Sequence, residues 1–371
     1  MSESDVAALT RTVLLASFGF SVAFGYIAQR THFCTMGAVS DIVNIGDWTR
    51  MRMWILAIAV AILGFNAMVG MGWVKASDSF YAAPRVVWLS NLVGGFLFGI
   101  GMVLASGCGS KTLVRIGGGS LKAVVVFLVL GLSAYATLRG ITAVLRVNTT
   151  DLASVTLSTS QDLPSVVAAA TGSSVPAMAW ILGSAIGLAL LVWVFLRPEG
   201  RQPLTLAAGI GAGLCVVAVW WVSGRLGFVP EDPQTLEAVF VGTNSQRMES
   251  LTFVAPVAFT LDWLLYFSDK SKVLTLGIVT TVGVIVGSAI DALISRRFRW
   301  EGFRDAEDTA NHLVGGVLMG VGGVTAMGCT IGQGLTGLST LSIGSFLTFA
   351  ALIAGALAGL RYQSWRIERL L

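Results

Sequence analysis

An 18-residue segment, residues 91–108 (NLVGGFLFGIGMVLASGC), is written again 221 residues later at 312–329 (HLVGGVLMGVGGVTAMGC), with 11 of the 18 positions identical and Gly-Cys closing both copies. A chain holding two versions of one helix must give both equivalent surroundings, so two related halves are expected, residues 1–175 and 176–371. Each copy is Gly-rich and runs into further Gly, as GSKTLVRIGGG after Cys108 and TIGQGLTGLS after Cys329. Gly at this density lets backbones approach closely, which is how helices pack in lipid. It also allows a helix to break around a buried site.

The surroundings must be lipid. The chain is 55% hydrophobic and only 12% charged, with a mean hydropathy of +0.79, whereas soluble domains carry roughly 25% charge. Apolar stretches at residues 12–28, 53–73, 88–107, 123–138, 179–196, 204–223, 273–294, 313–328 and 346–360 approach the length of about 20 residues that a spanning helix needs. They predict an all-α polytopic membrane protein with about nine transmembrane helices in one integral domain. Residues 33–45 and 251–267 are too short or too interrupted to cross and are expected to be re-entrant, with Asp41 and Asp262 in register and bracing their turns. Ser2–Asp5 is acidic where a cleavable signal would be basic. Residues 146–175 and 224–250 are polar and expected to be external.

The basic residues lie at the ends of the spans, which argues for topology rather than for nucleic-acid binding. With the N-terminus periplasmic and the C-terminus cytoplasmic, Arg30, Arg50, Arg52, Arg197, Arg201, Arg296, Arg297, Arg299, Arg304, Arg361, Arg366 and Arg369 fall inside, and the acidic loops fall outside. The two copies of the repeat then cross in opposite directions. Such an inverted repeat puts a substrate site near the midplane, between broken helices. Trp73, Trp88, Trp300 and Trp365 suit the interfacial belts, and His312 is expected at a helix start.

A helix that begins after a break points unpaired N–H groups and its positive end at the gap, which favours an anion. Around the two breaks, Gly107, Gly109 and Gly328 admit close backbone approach. Ser110, Thr330 and Gln333 supply side-chain donors, and Lys111 supplies charge. Carboxylates are missing from both breaks. Cys108 and Cys329, with Cys34 in the first re-entrant stretch, add polarisable weak donors suited to a large, soft, sulfur-bearing anion. Burial among apolar groups leaves little reactive thiolate, so contact is favoured over covalent chemistry and no catalytic residue is assigned. Cys215, with no polar neighbours, reads as core. The pattern calls for no metal and no cofactor.

The motifs RTHFCTMGAVSDI, ASGCGSKTLVRIGGG and MGCTIGQGLTGLSTL resemble those of the YeeE/YedE family of bacterial sulfur-compound permeases, and the resemblance spans nearly the whole chain. It implies an hourglass-like fold in the cell inner membrane and import of thiosulfate. It also implies that Cys34, Cys108 and Cys329 pass the anion along through S–H contacts. A separate TusA-like cytoplasmic sulfur carrier is an implied partner. Two alternatives are a transporter of the same build for a selenium compound or sulfite, and a membrane enzyme exchanging sulfur or disulfides.

Overall fold

A computed structural model describes residues 2–233 and 235–370. The first half contains α1 (Glu3–Arg30), α2 (Thr35–Ile45), α3 (Thr49–Gly70), α4 (Trp88–Leu104), α5 (Gly109–Gly117) and α6 (Leu121–Arg139). Two short helices, α7 (Ile141–Val147) and α8 (Leu163–Thr171), lead to α9 (Val175–Phe195). The chain continues through α10 (Pro203–Trp221), α11 (Ala255–Leu265), α12 (Leu276–Ile294), α13 (Ala306–Thr325) and α14 (Ile343–Leu370). A π-helical turn, Gly332–Gly337, lies between α13 and α14.

Eight helical segments are long and apolar enough to cross a membrane among the described residues. The twenty-residue α13 is of similar length but falls outside that set, its first turn made polar by Glu307 and Asp308. The chain is therefore an all-α polytopic membrane protein. The short helices α2 and α11, of 11 residues each, reach only about 16 Å at 1.5 Å per residue and cannot span the bilayer. Trp73, Trp88, Trp300 and Trp365 are all exposed, as interfacial anchors should be.

Counterparts under the 221-residue offset exchange partners. The helix α4 packs against α14 and α13 against α6; α2 touches α14 and α11 touches α6; α5 lies on α12, and the π-turn on α3. The inserted segment between α10 and α11 breaks the offset for the opening helix. The helix α10 takes that place instead, since α1 packs on α12 and α10 on α3. The helix α9 packs on α3 and has no counterpart.

The turns after the two re-entrant helices are pinned alike. Asp41 pairs with Arg50 at 2.8 Å and Asp262 with Lys272 at 2.6 Å. Arg52 closes the end of α9, its guanidinium donating to the Trp193 and Val194 carbonyls at 2.8 and 3.1 Å, where the helix dipole favours a cation.

The structure adds order to residues 146–175. A strand β1 (Arg85–Val86) pairs with β2 (Val155–Thr156), and Asp162 caps α8 by accepting from Ser165 N at 3.0 Å. Gln161 Oε1 accepts from Gly344 N at 3.0 Å and its Nε2 donates to Ala83 O at 2.9 Å. The segment is thus fastened to the start of α14. His312 also differs from expectation: α13 begins at Ala306 under an Asp305 cap, so His312 sits inside the helix, its Nδ1 3.0 Å from Asp308.

Helix contact here depends on missing side chains. A Cβ at Gly287 of α12 would strike the Val22 carbonyl of α1, whereas one at Gly19 would meet open space. Gly287→Val is therefore expected to lower the thermal midpoint of the detergent-solubilised protein by an amount matching about 1–3 kcal/mol of overpacking, while Gly19→Ala leaves it nearly unchanged. Tryptophan-fluorescence melting curves check this, and equal midpoints would refute a close α1–α12 contact.

Candidate functional site

Both copies of the repeat stop in the same way. Ser106 after α4 and Met327 after α13, in register at the 221-residue offset, adopt left-handed φ angles of 54° and 59°. Gly107 N then donates to Met102 O and Gly328 N to Gly323 O, each at 2.8 Å, which satisfies carbonyls freed by the break. The next residues are Cys108 and Cys329, and a new helical segment begins after each.

All three motif cysteines stand at the start of a helix. Cys34 caps α2, its Sγ accepting from Gly37 N at 3.4 Å. Cys108 occupies the cap position of α5, where its Sγ makes no bond to a helix N–H and lies 3.2 Å from Ser110 Oγ. Cys329 accepts from Gly332 N at 3.3 Å. Helix caps are usually hydroxyl or carboxylate oxygens; sulfur is a weaker acceptor, so these N–H groups are held loosely. The exposures of Cys34, Cys108 and Cys329 are 6%, 1% and 0%, and all are free thiols.

The fold brings these ends together. The Cys34 and Cys108 thiols are close enough to interact, as are those of Cys108 and Cys329. The Thr330 hydroxyl lies beside the Cys108 sulfur, short of a well-formed hydrogen bond, and the Thr35 hydroxyl is buried without a partner. Leaving such a group unsatisfied costs about 1–3 kcal/mol. The Lys111 ammonium acts on both Cys34 and Cys108, with Arg50 and Arg115 nearby. Gly109 is obligatory, since a Cβ there would sit 2.9 Å from the Phe253 carbonyl oxygen.

Gln333 has a different position from a free donor. Its Nε2 donates to Ala326 O at 2.7 Å and its Oε1 accepts from Ser345 Oγ at 2.6 Å, so both ends of the amide are already engaged in tying the break to α14. Cys215 is remote from the cluster, inside α10 against α3.

Sequence reasoning missed the aromatic packing. Phe33 stacks on Trp54 at 4.8 Å, Trp54 faces Phe349 at 6.4 Å, and Phe24 lies 6.0 Å from Phe253. Contacts between residues so distant in sequence leave no local signal; only the placement of Phe33 directly before Cys34 hinted at them.

Two cavities approach the cluster from opposite ends. One, of about 450 Å³, is lined by Tyr81, Arg85, Arg146, Glu249, Thr252 and Gly328 among others. The other, of about 380 Å³, includes Ser106, Arg115, Lys122, Glu301 and Asp308. The helix α4 runs from beside Val87 in the first cavity to Ser106 in the second. The helix α13 runs from Asp308 in the second to Met327 and Gly328 in the first. The two copies are thus antiparallel. In the second cavity, Lys122 holds Glu301 at 3.0 Å and Arg115 lies 3.7 Å from it. Burial pushes the Glu301 carboxyl up, but the Lys122 hydrogen bond and the Arg115 charge outweigh it and hold the group below its usual range.

The family model described as sulphur transport matches residues 30–358. Thiosulfate transporter TsuA of Escherichia coli K12 is 27% identical over 347 residues, covering 93% of each chain. The protein of that name in Spirochaeta thermophila is 28% identical over 340 residues, covering 90% of this chain and 93% of its own. The probable transporter YedE of Salmonella typhimurium is 31% identical over 98 residues, covering 26% of this chain and 22% of its own. With a match that runs from the residue ending α1 into the last helix, the chain belongs to the sulphur-transport family, the YeeE/YedE group.

Proposed function

We propose that this protein imports thiosulfate, or a closely related sulfur oxyanion, across the bacterial inner membrane through a constriction lined by Cys34, Cys108 and Cys329. Membership of a transport family makes it a sulfur-anion transporter rather than an enzyme. The observation that carries the finer reading is the meeting of three helix starts at one buried place, each opened by a cysteine, with a cavity leading toward it from each end.

The chemistry follows from the donors. Three helix N-termini present N–H groups and positive dipole ends to an anion, and weak sulfur caps surrender those groups easily. An S–H donor against the soft terminal sulfur of thiosulfate replaces part of its hydration without forming a bond. Gly107, Gly109 and Gly328 let backbone line the route, Ser110 and Thr330 add hydroxyls, and Lys111 draws the anion onward. Gln333 serves by holding the second break open in shape.

The end gathering Arg50, Arg52, Arg197, Arg201 and the residues 296–304 is assigned to the cytoplasm, so the N-terminus is periplasmic and import runs from the larger cavity to the smaller. In this reading the two inverted halves are residues 1–175 and 176–371, each contributing one repeat cysteine, and a TusA-like carrier is the acceptor at the cytoplasmic mouth.

Radiolabelled thiosulfate should enter proteoliposomes of the wild type. Cys108→Ala and Cys329→Ala should reduce the initial rate at least about 100-fold if each removes charge-assisted contacts of about 3 kcal/mol, and Cys215→Ala should change it little. Wild-type rates in both repeat-cysteine variants would defeat the thiol route. Mercuric ion, which prefers paired soft sulfur ligands, should bind at Cys34 and Cys108 with a thiolate charge-transfer absorbance. That absorbance should persist in Cys215→Ala and vanish in Cys108→Ala, the thiol that faces both of the others, and its survival there would show that Cys108 does not meet its neighbours.

A further inference from the structure

The floor of the larger cavity carries two hydroxyls that the repeat does not supply twice. Tyr81, in the short 3₁₀ turn Phe80–Ala82, is 5% exposed yet lines the cavity with Thr252 and Gly328. Its hydroxyl lies against that of Thr252 and acts on Cys329. A Cβ built at Gly332, whose N–H caps onto Cys329, would sit 3.0 Å from the Tyr81 oxygen. The phenol, the threonine hydroxyl, the Cys329 thiol and the Gly332 backbone therefore converge.

The ring is rigidly set. Its edge meets Phe80 at 5.4 Å and Trp220 at 6.4 Å, and Trp220 is fixed by donating Nε1–H to Ser339 Oγ at 3.0 Å. The backbone is held on both sides, Tyr81 N donating to Ser79 Oγ at 3.2 Å and Tyr81 O accepting from Ser342 Oγ at 2.8 Å. A side chain locked in this way loses little entropy when it binds. Both hydroxyl oxygens lie beside the same point at Gly332, so each has a proton to turn toward whatever enters the cavity.

Nothing equivalent stands at the other end. In register with Tyr81 is Gly302, and in register with Thr252 is Thr31, whose hydroxyl is taken up by Ile27 O at 2.7 Å. There the cavity wall is made of ion-paired side chains, Arg115 and Lys122 with Glu301 and Asp308. Charged groups line both cavities, but only the first sets a phenol and a threonine hydroxyl beside a thiol.

We propose that Tyr81 and Thr252 form an outer anion station, their hydroxyls taking the oxygen-bearing end of the sulfur oxyanion while its terminal sulfur faces Cys329. The assignment rests on the transport reading above. Hard oxygens suit O–H donors and the polarisable sulfur suits the thiol, so the station sets which way round the anion enters.

The test is thiosulfate uptake into proteoliposomes at graded concentrations, with sulfite, which has oxygens but no terminal sulfur, as competitor. Tyr81→Phe removes only the phenol oxygen. It should raise the half-saturating thiosulfate concentration and the inhibitory sulfite concentration together, by roughly tenfold each for one hydrogen bond to an anion, with the maximal rate and thermal midpoint retained. Thr252→Val should shift both in the same direction, and it decides the matter if the first variant folds poorly. Unchanged half-saturation in both variants overturns the station. So does a shift for thiosulfate without one for sulfite, or a wild type that sulfite does not inhibit, since the oxygen end would then not be what the hydroxyls hold. A wild type that takes up no thiosulfate defeats the transport reading itself, and the station with it; uptake that Tyr81→Phe leaves untouched defeats the station alone.

Discussion

A helix interrupted inside a bilayer exposes backbone groups that lipid cannot satisfy, and the rest of this structure depends on how those groups are looked after. The carbonyls at the ends of α4 and α13 are closed by the left-handed turns at Ser106 and Met327. The N–H groups of the segments that follow have at most a sulfur cap: Gly332 N donates to Cys329, and the start of α5 has no side-chain cap. Carbonyls are therefore well satisfied and donors poorly so, an imbalance of the kind that favours negative charge. The packing around it, from the Phe33–Trp54 stack to the Phe253 backbone against Gly109, keeps water away from a place where it would otherwise supply the missing acceptors.

The halves are alike where backbone is concerned and unlike where side chains face solvent. The stops after α4 and α13, the carboxylates Asp41 and Asp262, and the exchanged helix contacts all follow the 221-residue offset, and the bases that pair with those carboxylates, Arg50 and Lys272, miss it by one residue. The cavity walls do not: Tyr81, Thr252 and Glu249 line one end, while Lys122, Arg115 and Glu301 line the other. Equivalent frames support a central site reachable from both ends, and different walls allow entry and exit to be served by different chemistry.

Much of this was legible in the sequence because membrane spans and a duplicated segment are local signals. Apolar length predicted the crossings, and the Gly-Cys repeat predicted paired breaks. The helix start at His312 was misplaced because the apolar pattern begins there, whereas the structural cap is the polar Asp305 two turns earlier. Gln333 read as a free donor because sequence cannot show that Ala326 and Ser345 already occupy its amide. The left-handed residues were hidden as well: Gly107 and Gly328 attract the eye, yet the turn is made by their neighbours Ser106 and Met327. Tyr81 carries no motif, and its place beside Cys329 depends on a loop folding back from another helix.

The unmatched helix α9 has a topological consequence. Four crossings, α1, α3, α4 and α6, precede it, and an even number returns the chain to the face from which it set out. A second unit joined directly would thread the bilayer in the same sense as the first and could only stack beside it. One additional traverse changes the parity, so that identical instructions are read upside down. In this molecule the antiparallel meeting of the repeats thus follows from a helix that lies outside both copies and packs on α3.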